Sequence, residues 1–144
     1  TRFLLVTGVQ TCALPIWSEF QTASPAETPF LVQQLVDNLE YRLDVADSDD
    51  DKLLAILDTH IQFERIHPFS DGNGRTGRMI MNYSLLQQGF PPLIIEKETK
   101  AQYIEFLGNQ DVDGFVQFAK ALLDKEEKRM QAFRNMDQER IEFK

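Results

Sequence analysis

His67-Pro68-Phe69-Ser70-Asp71-Gly72-Asn73-Gly74-Arg75-Thr76-Gly77-Arg78 is the stretch on which the reading turns, because it joins two segments of helical period. Upstream, Leu53, Ile56, Leu57, His60, Ile61, Phe63 and Ile66 recur at helical spacing, and Pro68 ends the run. Downstream, Met79, Ile80, Tyr83 and Leu86 predict a helix from about Arg75 to Gln88, with Gly89 at its C-terminal stop. The stretch is therefore a tight loop between two helices. Gly72 and Gly74 flank Asn73 just before a helix start, where successive backbone N–H groups converge into a nest unobstructed by Cβ atoms. A nest backed by a helix dipole binds an anion.

Arg75 and Arg78 stand three apart on the first turn and project from one face, and two guanidinium groups beside a nest point to a polyphosphate. Asp71 beside this positive site would compete with the anion, a conflict that a hard divalent cation resolves. Mg²⁺ accepts one or two carboxylates and completes its shell with water and phosphate oxygens, so a single Asp suits it. His67, next to the nest, carries a side chain whose ordinary pKa lies near neutrality and is the natural general base. Phe69 is expected to anchor the loop in the core. The bland alternative for the whole constellation is a glycine-rich turn with a capping Asp and solvated arginines.

Outward from the loop, Val32, Leu35, Val36, Leu39 and Leu43 predict an earlier amphipathic helix. The aspartates between Asp44 and Asp51 are read as a solvated loop whose last members cap the next helix rather than bind metal. Phe90-Pro91-Pro92 forces an extended link, and Leu93 to Ile95 are too few for a strand. Lys100 to Leu107 is expected to be helical. A last helix capped by Asp113 would bury Phe115, Val116, Phe118, Ala119, Leu122 and Leu123. From Lys125 to Lys144 the chain is charged, either a helix or a truncated extension. Trp17 to Pro29 is turn-rich, a loop or short hairpin. The expected fold is all-α, with six or so helices.

The 144 residues make one domain, and 23 acidic against 15 basic residues give a net charge of −8. An acidic surface repels phosphate backbones, so nucleic acid is not expected as a partner. Cys12 is the one cysteine, which excludes an internal disulfide and, with two histidines, a four-ligand structural zinc site. A reduced, cytoplasmic chain is expected. The apolar run Phe3 to Val6 is too short for a signal core or a membrane span, so no membrane association is expected. Val6 to Ile16, VTGVQTCALPI, resembles the translation of a common sequencing adapter, so residues 1–16 are expected to be artefactual or unstructured. Without them the chain carries a net charge of −9.

HPFSDGNGRTGR is similar to the signature H-P-F-x-(D/E)-G-N-G-R-x-x-R of Fic domain proteins at every specified position. HIQFERIHPF before it, and MNYSLLQQGFPP and YIEFLGNQDVDGFVQF after it, also resemble the family's helices, so the likeness covers about residues 28–124. It places a Fic-like domain at 17–124. The resemblance implies Mg²⁺-dependent transfer of AMP from ATP to a Ser, Thr or Tyr hydroxyl of a target protein, releasing pyrophosphate. In that reading His67 is the base and Asp71 holds the metal. Gly72, Asn73 and Gly74 supply amides to the α-phosphoryl oxygens, while Arg75 and Arg78 orient the outer phosphates. The family's β-hairpin flap would fall at Trp17 to Pro29, and Tyr103 and Asn109 lie where it closes the adenine pocket. For Tyr103 a core position competes with that role, and His60 is read as a hydrogen-bonded core histidine.

The family's self-inhibitory run (S/T)-x-x-x-E-(G/N) is not found in the sequence. An inhibitory antitoxin or an upstream helix would then supply the Glu that pairs with Arg78. Two other readings stay open: removal of AMP from a modified protein, and a non-catalytic nucleotide-binding interaction module.

Overall fold

The computed structural model describes residues 22–142, with side chains described through residue 138. Five helices account for these residues: α1 (Thr28–Asp44), α2 (Asp49–Ile66), α3 (Asn73–Gln87), α4 (Lys100–Asn109) and α5 (Val112–Glu142). The all-α expectation holds. The count is five rather than six or so among the described residues, because α5 runs unbroken through the charged region that begins at Lys125. Residues 1–16 and the first part of the expected hairpin flap, 17–21, lie outside the described residues. The described part of that stretch is a turn, in which the Glu27 and Thr28 amides donate to the Ser24 carbonyl at 3.1 and 3.0 Å.

α2 is the central element, packed against α1, α3 and α5. Its start follows from local chemistry. Ser48 accepts from the Asp51 amide at 3.1 Å, and Asp49, Asp50 and Asp51 place negative charge on the first turn, where the helix dipole favours it. The aspartates therefore cap. Leu53, Ile56, Leu57 and Ile61 form the buried stripe of α2, each no more than 2 % exposed. Against them lie Met81 and Leu85 from α3, Tyr103 and Leu107 from α4, and Phe115, Val116, Ala119 and Leu123 from α5.

α3 ends as the sequence predicts, with Gly89 at φ +85° and the Phe90 amide donating back to the Leu85 carbonyl at 3.0 Å. The proline link that follows is extended but unpaired with any strand. Asn82 does a neighbouring strand's work, accepting from the Leu93 amide at 2.6 Å and donating to the Leu93 carbonyl at 3.2 Å. The last helix departs from expectation at its cap. Asp111, not Asp113, accepts from the Gly114 amide, at 2.9 Å, and Asp113 lies inside the first turn. Gly114 is required there, since a Cβ would fall 2.2 Å from the Asp111 Oδ2.

Phe115 is fully buried and touches the rings of His60, Tyr103, Phe106 and Phe118 at centroid separations of 5.7–6.3 Å. It joins α2, α4 and α5 in one aromatic cluster. Phe115→Ala is expected to cost about 3–5 kcal/mol in urea unfolding. A loss below about 1 kcal/mol would show that the cluster does not hold these helices together.

Candidate active site

His67 terminates α2 in the left-handed conformation, φ 52° and ψ 58°, with its amide donating to the Phe63 carbonyl at 3.0 Å. A non-glycine residue rarely adopts that region, and here it turns the chain sharply toward α3. The imidazole Nδ1 lies 3.3 Å from the Glu64 carbonyl. A carbonyl can only accept, so this contact places the proton on Nδ1 and leaves the Nε2 lone pair open.

Six residues on, Asn73 closes the loop. Its Oδ1 accepts from the Phe69 amide at 2.9 Å and its Nδ2 donates to the Phe69 carbonyl at 2.6 Å, with the residue 3 % exposed. Phe69 packs against Phe63, with centroids 6.4 Å apart, so it anchors the loop as expected. Gly72 precedes α3 at φ +81°, and the Thr76 amide donates to its carbonyl at 2.9 Å. No side chain caps this helix start. The first amides of α3 are thus presented without a resident side-chain acceptor.

Both arginines lie at this end. Arg75 reaches back to the Asp71 Oδ2 at 3.3 Å, and this pair is 77 % and 83 % exposed. Arg78 folds along the helix, so a Cβ at Gly74 would be 3.1 Å from its Nη1. The structure therefore gathers His67, Asp71, Gly72, Asn73, Gly74, Arg75 and Arg78 around one helix terminus. A lone exposed carboxylate beside an open helix start fits a Mg²⁺ ion whose remaining ligands are water and phosphate oxygens.

Of the two nucleobase candidates, one is buried and the other exposed. Tyr103 is 3 % exposed, its hydroxyl 2.8 Å from the His60 Nε2, and it belongs to the aromatic core. Asn109 is exposed at the last position of α4. The adjoining Gln110 is tied to Arg65 of α2, so Asn109 borders the end of α2 from which His67 leaves.

One residue escaped sequence reasoning. Glu64 is 5 % exposed, and its Oε1 has no hydrogen-bond partner. Its register gave the signal, since it follows Leu57, His60 and Ile61 on the buried face. Gly77 lets the two helices meet there: a Cβ would lie 2.5 Å from the Glu64 Oε1, 3.0 Å from the Phe63 ring and 3.1 Å from the His60 Cε1.

Known proteins resemble this chain. The Fic/DOC family model matches residues 15–85. Over those residues the chain is similar to the Fic/DOC family. It resembles the Caenorhabditis briggsae protein named protein adenylyltransferase fic-1, 34% identical over 80 residues, or 56% of this chain and 16% of that protein. Drosophila grimshawi protein adenylyltransferase Fic is 47% identical over 62 residues, 41% of this chain and 13% of its own length. This chain thus spans a sixth or less of those two relatives. Among solved structures, a Fic domain containing signaling protein from Bacteroides thetaiotaomicron superposes with a TM-score of 0.66 at 30% identity, covering 74% of this chain and 46% of that one. A Fic-1 structure from C. elegans gives 0.63 at 30% identity, covering 79% of this chain and 35% of that one. Among the described residues, no helix is long and apolar enough to cross a membrane.

Burial sets two opposed titrations behind the Fic loop. It pushes the Glu64 carboxyl up to about 7, with Arg78 partly offsetting it. It drives the His60 imidazole down to about 4, opposed by the Gly77 backbone and reinforced by Arg78. Glu64 therefore contributes stability below the ordinary carboxylate range that is lost as pH rises toward 7. His60 does the reverse, contributing above its ordinary value and losing that as pH falls toward 4. Glu64→Gln removes only the first effect, so on going from pH 5 to pH 8 the variant should gain about 2–3 kcal/mol relative to wild type. Parallel urea midpoints for the two proteins at both pH values would contradict the buried, proton-retaining Glu64.

Proposed function

We propose that this domain transfers AMP from ATP to a hydroxyl side chain of a target protein. The observation that carries the reading is the open N-terminus of α3, flanked by Arg75 and Arg78, with His67 in the loop that leads into it and its Nε2 lone pair free. The names of the protein adenylyltransferase relatives support it, as do the 30% identical Fic structures.

In the proposed reaction the phosphates of ATP occupy the helix terminus. The Gly72, Asn73 and Gly74 amides meet the charge that develops on the α-phosphoryl oxygens, in a place where donors are already aligned. Arg75 and Arg78 hold the outer phosphates so that pyrophosphate departs in line with the attacking oxygen. The His67 Nε2 takes the proton from the Ser, Thr or Tyr hydroxyl as its oxygen bonds to the α-phosphorus and the bond to the β-phosphate bridge breaks. Asp71 would hold Mg²⁺, which supplies charge neutralisation to the phosphates when bound. Asn73 fixes this arrangement by closing the loop, and the Phe69 ring keeps it from moving away from α2.

The ion pairs formed among the described residues leave Arg78 out. An inhibitory carboxylate brought by an antitoxin or by another helix would act at this guanidinium. Arg78 therefore marks where such a partner would compete with ATP.

Incubation with ATP labelled on its α-phosphate tests the assignment. His67→Ala should lower covalent labelling of protein by about 10²- to 10⁴-fold while leaving ATP binding nearly intact. Asp71→Ala should abolish the stimulation of labelling by magnesium. Labelling that survives unchanged in the His67 variant removes that residue as the base. Saturable ATP binding with no covalent label on any protein tested would instead favour a nucleotide-binding module.

A further inference from the structure

α5 runs on past the core it helps to build. Its first part packs against α2 and α4, where Phe115, Val116, Ala119 and Leu123 are buried. The same face then continues, because Ala119, Leu123, Glu126, Met130, Phe133 and Asp137 follow at alternating steps of four and three residues, one row along a helix. Burial ends partway along that row. Ala119, Leu123 and Glu126 are buried, Met130 is half-buried, and every residue from Gln131 to Gln138 is exposed. Phe133 and Met136 are 60 % and 61 % exposed, so the described elements leave this stretch uncovered. Helices in proteins owe most of their stability to the packing of such a face, and a helix end standing alone in water is marginal.

The pattern of charge says what fits the face. Residues 125–138 carry four basic side chains, Lys125, Lys128, Arg129 and Arg134, against Glu126, Glu127 and Asp137, in a chain whose net charge is −8. This segment is therefore one that another acidic copy of the same chain can approach without local repulsion. Its order is also self-complementary. Counted outward from Phe133, Met130 mirrors Met136 and Arg129 mirrors Asp137, so that apolar answers apolar and base answers acid. In the sequence Arg140 mirrors Glu126 in the same sense. Glu127 and Glu139 mirror each other with like charge, but Glu127 lies off the row and is paired with Arg134 of its own helix at 3.7 Å. Asp137 forms no ion pair with any described residue. Arg129 holds Glu126 at 2.9 and 2.6 Å yet stays 58 % exposed, with donors left for a second carboxylate.

We propose that the exposed end of α5 pairs with the same segment of a second copy of this chain, antiparallel about a two-fold axis at Phe133. Phe133 then meets Phe133, Met130 meets Met136, and Arg129 meets Asp137 of the other copy, the mirrored order that a two-fold axis requires. At 1.5 Å per residue the seam from Arg129 to Asp137 is about 12 Å long, so the interface is at the small end of the range and the dimer separates on dilution at micromolar concentration. Where the second helix would end, Ile94, Leu122, Lys125, Glu126 and Arg129 line a shallow cavity that extends the contact beyond the seam. The pairing does not depend on the chemistry of the loop before α3.

Sedimentation velocity on the full chain, from about 5 µM to about 500 µM, should show monomer giving way to dimer. Phe133→Asp should raise the midpoint concentration by at least about tenfold, while its thermal unfolding at low concentration matches wild type because Phe133 lies outside the core. Asp137→Arg sets like charges opposite Arg129 and should weaken the dimer by about three- to tenfold. Disulfide trapping in a Cys12→Ser background reads the register. Met130→Cys mixed with Met136→Cys should cross-link the two variants to each other. Each variant alone should stay unlinked, since like positions would be about 9 Å apart along the axis, more than a disulfide spans. Self-linking of either variant alone means a parallel or shifted pairing and overturns the proposal. A monomer at every concentration, or a dimer that Phe133→Asp leaves intact, overturns it as well.

Discussion

The paired hydrogen bonds from the Asn73 side chain to the backbone of Phe69 are the constraint on which the site depends. A carboxamide has one donor end and one acceptor end, and here both are spent on the same residue four positions back. The loop between α2 and α3 is thereby closed from inside, with Asn73 buried at its base. An aspartate in that position would lack the donor, and a leucine would satisfy neither Phe69 group. With the loop closed, the left-handed turn at His67 leads the chain back to the start of α3. Loop residues usually carry function because a rigid frame holds them, and the frame here is one amide side chain plus two helices.

Behind that loop the helices meet through polar contacts as well as apolar ones. Gly77 permits α2 to approach α3 closely enough for Glu64, His60 and Phe63 to press on its backbone. A wholly apolar interface at the same spot would be more stable, since both ionisable groups resist their charged forms there. The fold accepts that loss at Gly77, the residue next to Arg78.

Much of this was legible in the sequence because helical period and glycine placement are local signals. The stop at Gly89, the capping aspartates before Leu53 and the ring of Phe69 follow from rules that span a few residues. Asp113 was misread for Asp111 because either can serve as a cap on spacing alone, and the choice depends on the Gly114 amide having room to reach Asp111. Tyr103 shows the same limit. Its period marks a buried face, but whether the buried face lines a ligand or the core depends on which helices come to meet it, here α2 and α5. Glu64 was passed over since an acid in a helix reads as surface, and only the pairing of its register with a distant glycine makes it otherwise. Those are contacts between elements, which no window along the chain contains.

The charge of the whole chain bears less on the site than its size implies. A net charge of −8 opposes an incoming polyphosphate at long range, yet at physiological ionic strength a charge is screened beyond about 8 Å. The loop itself offers Arg75, Arg78 and a helix dipole against one carboxylate, Asp71. Asp71 and Arg75 are already paired at 3.3 Å, but both are largely exposed, and such a pair is worth about 0–1 kcal/mol. Parting them costs little, so in the proposed reaction a metal-bound nucleotide would exchange this contact for two stronger ones, metal on Asp71 and phosphate on Arg75. Arg78 differs, because no ion pair among the described residues engages it and no such contact has to be parted. One arginine thus gives up a weak contact to reach the ligand, while the other has none of that kind to give up.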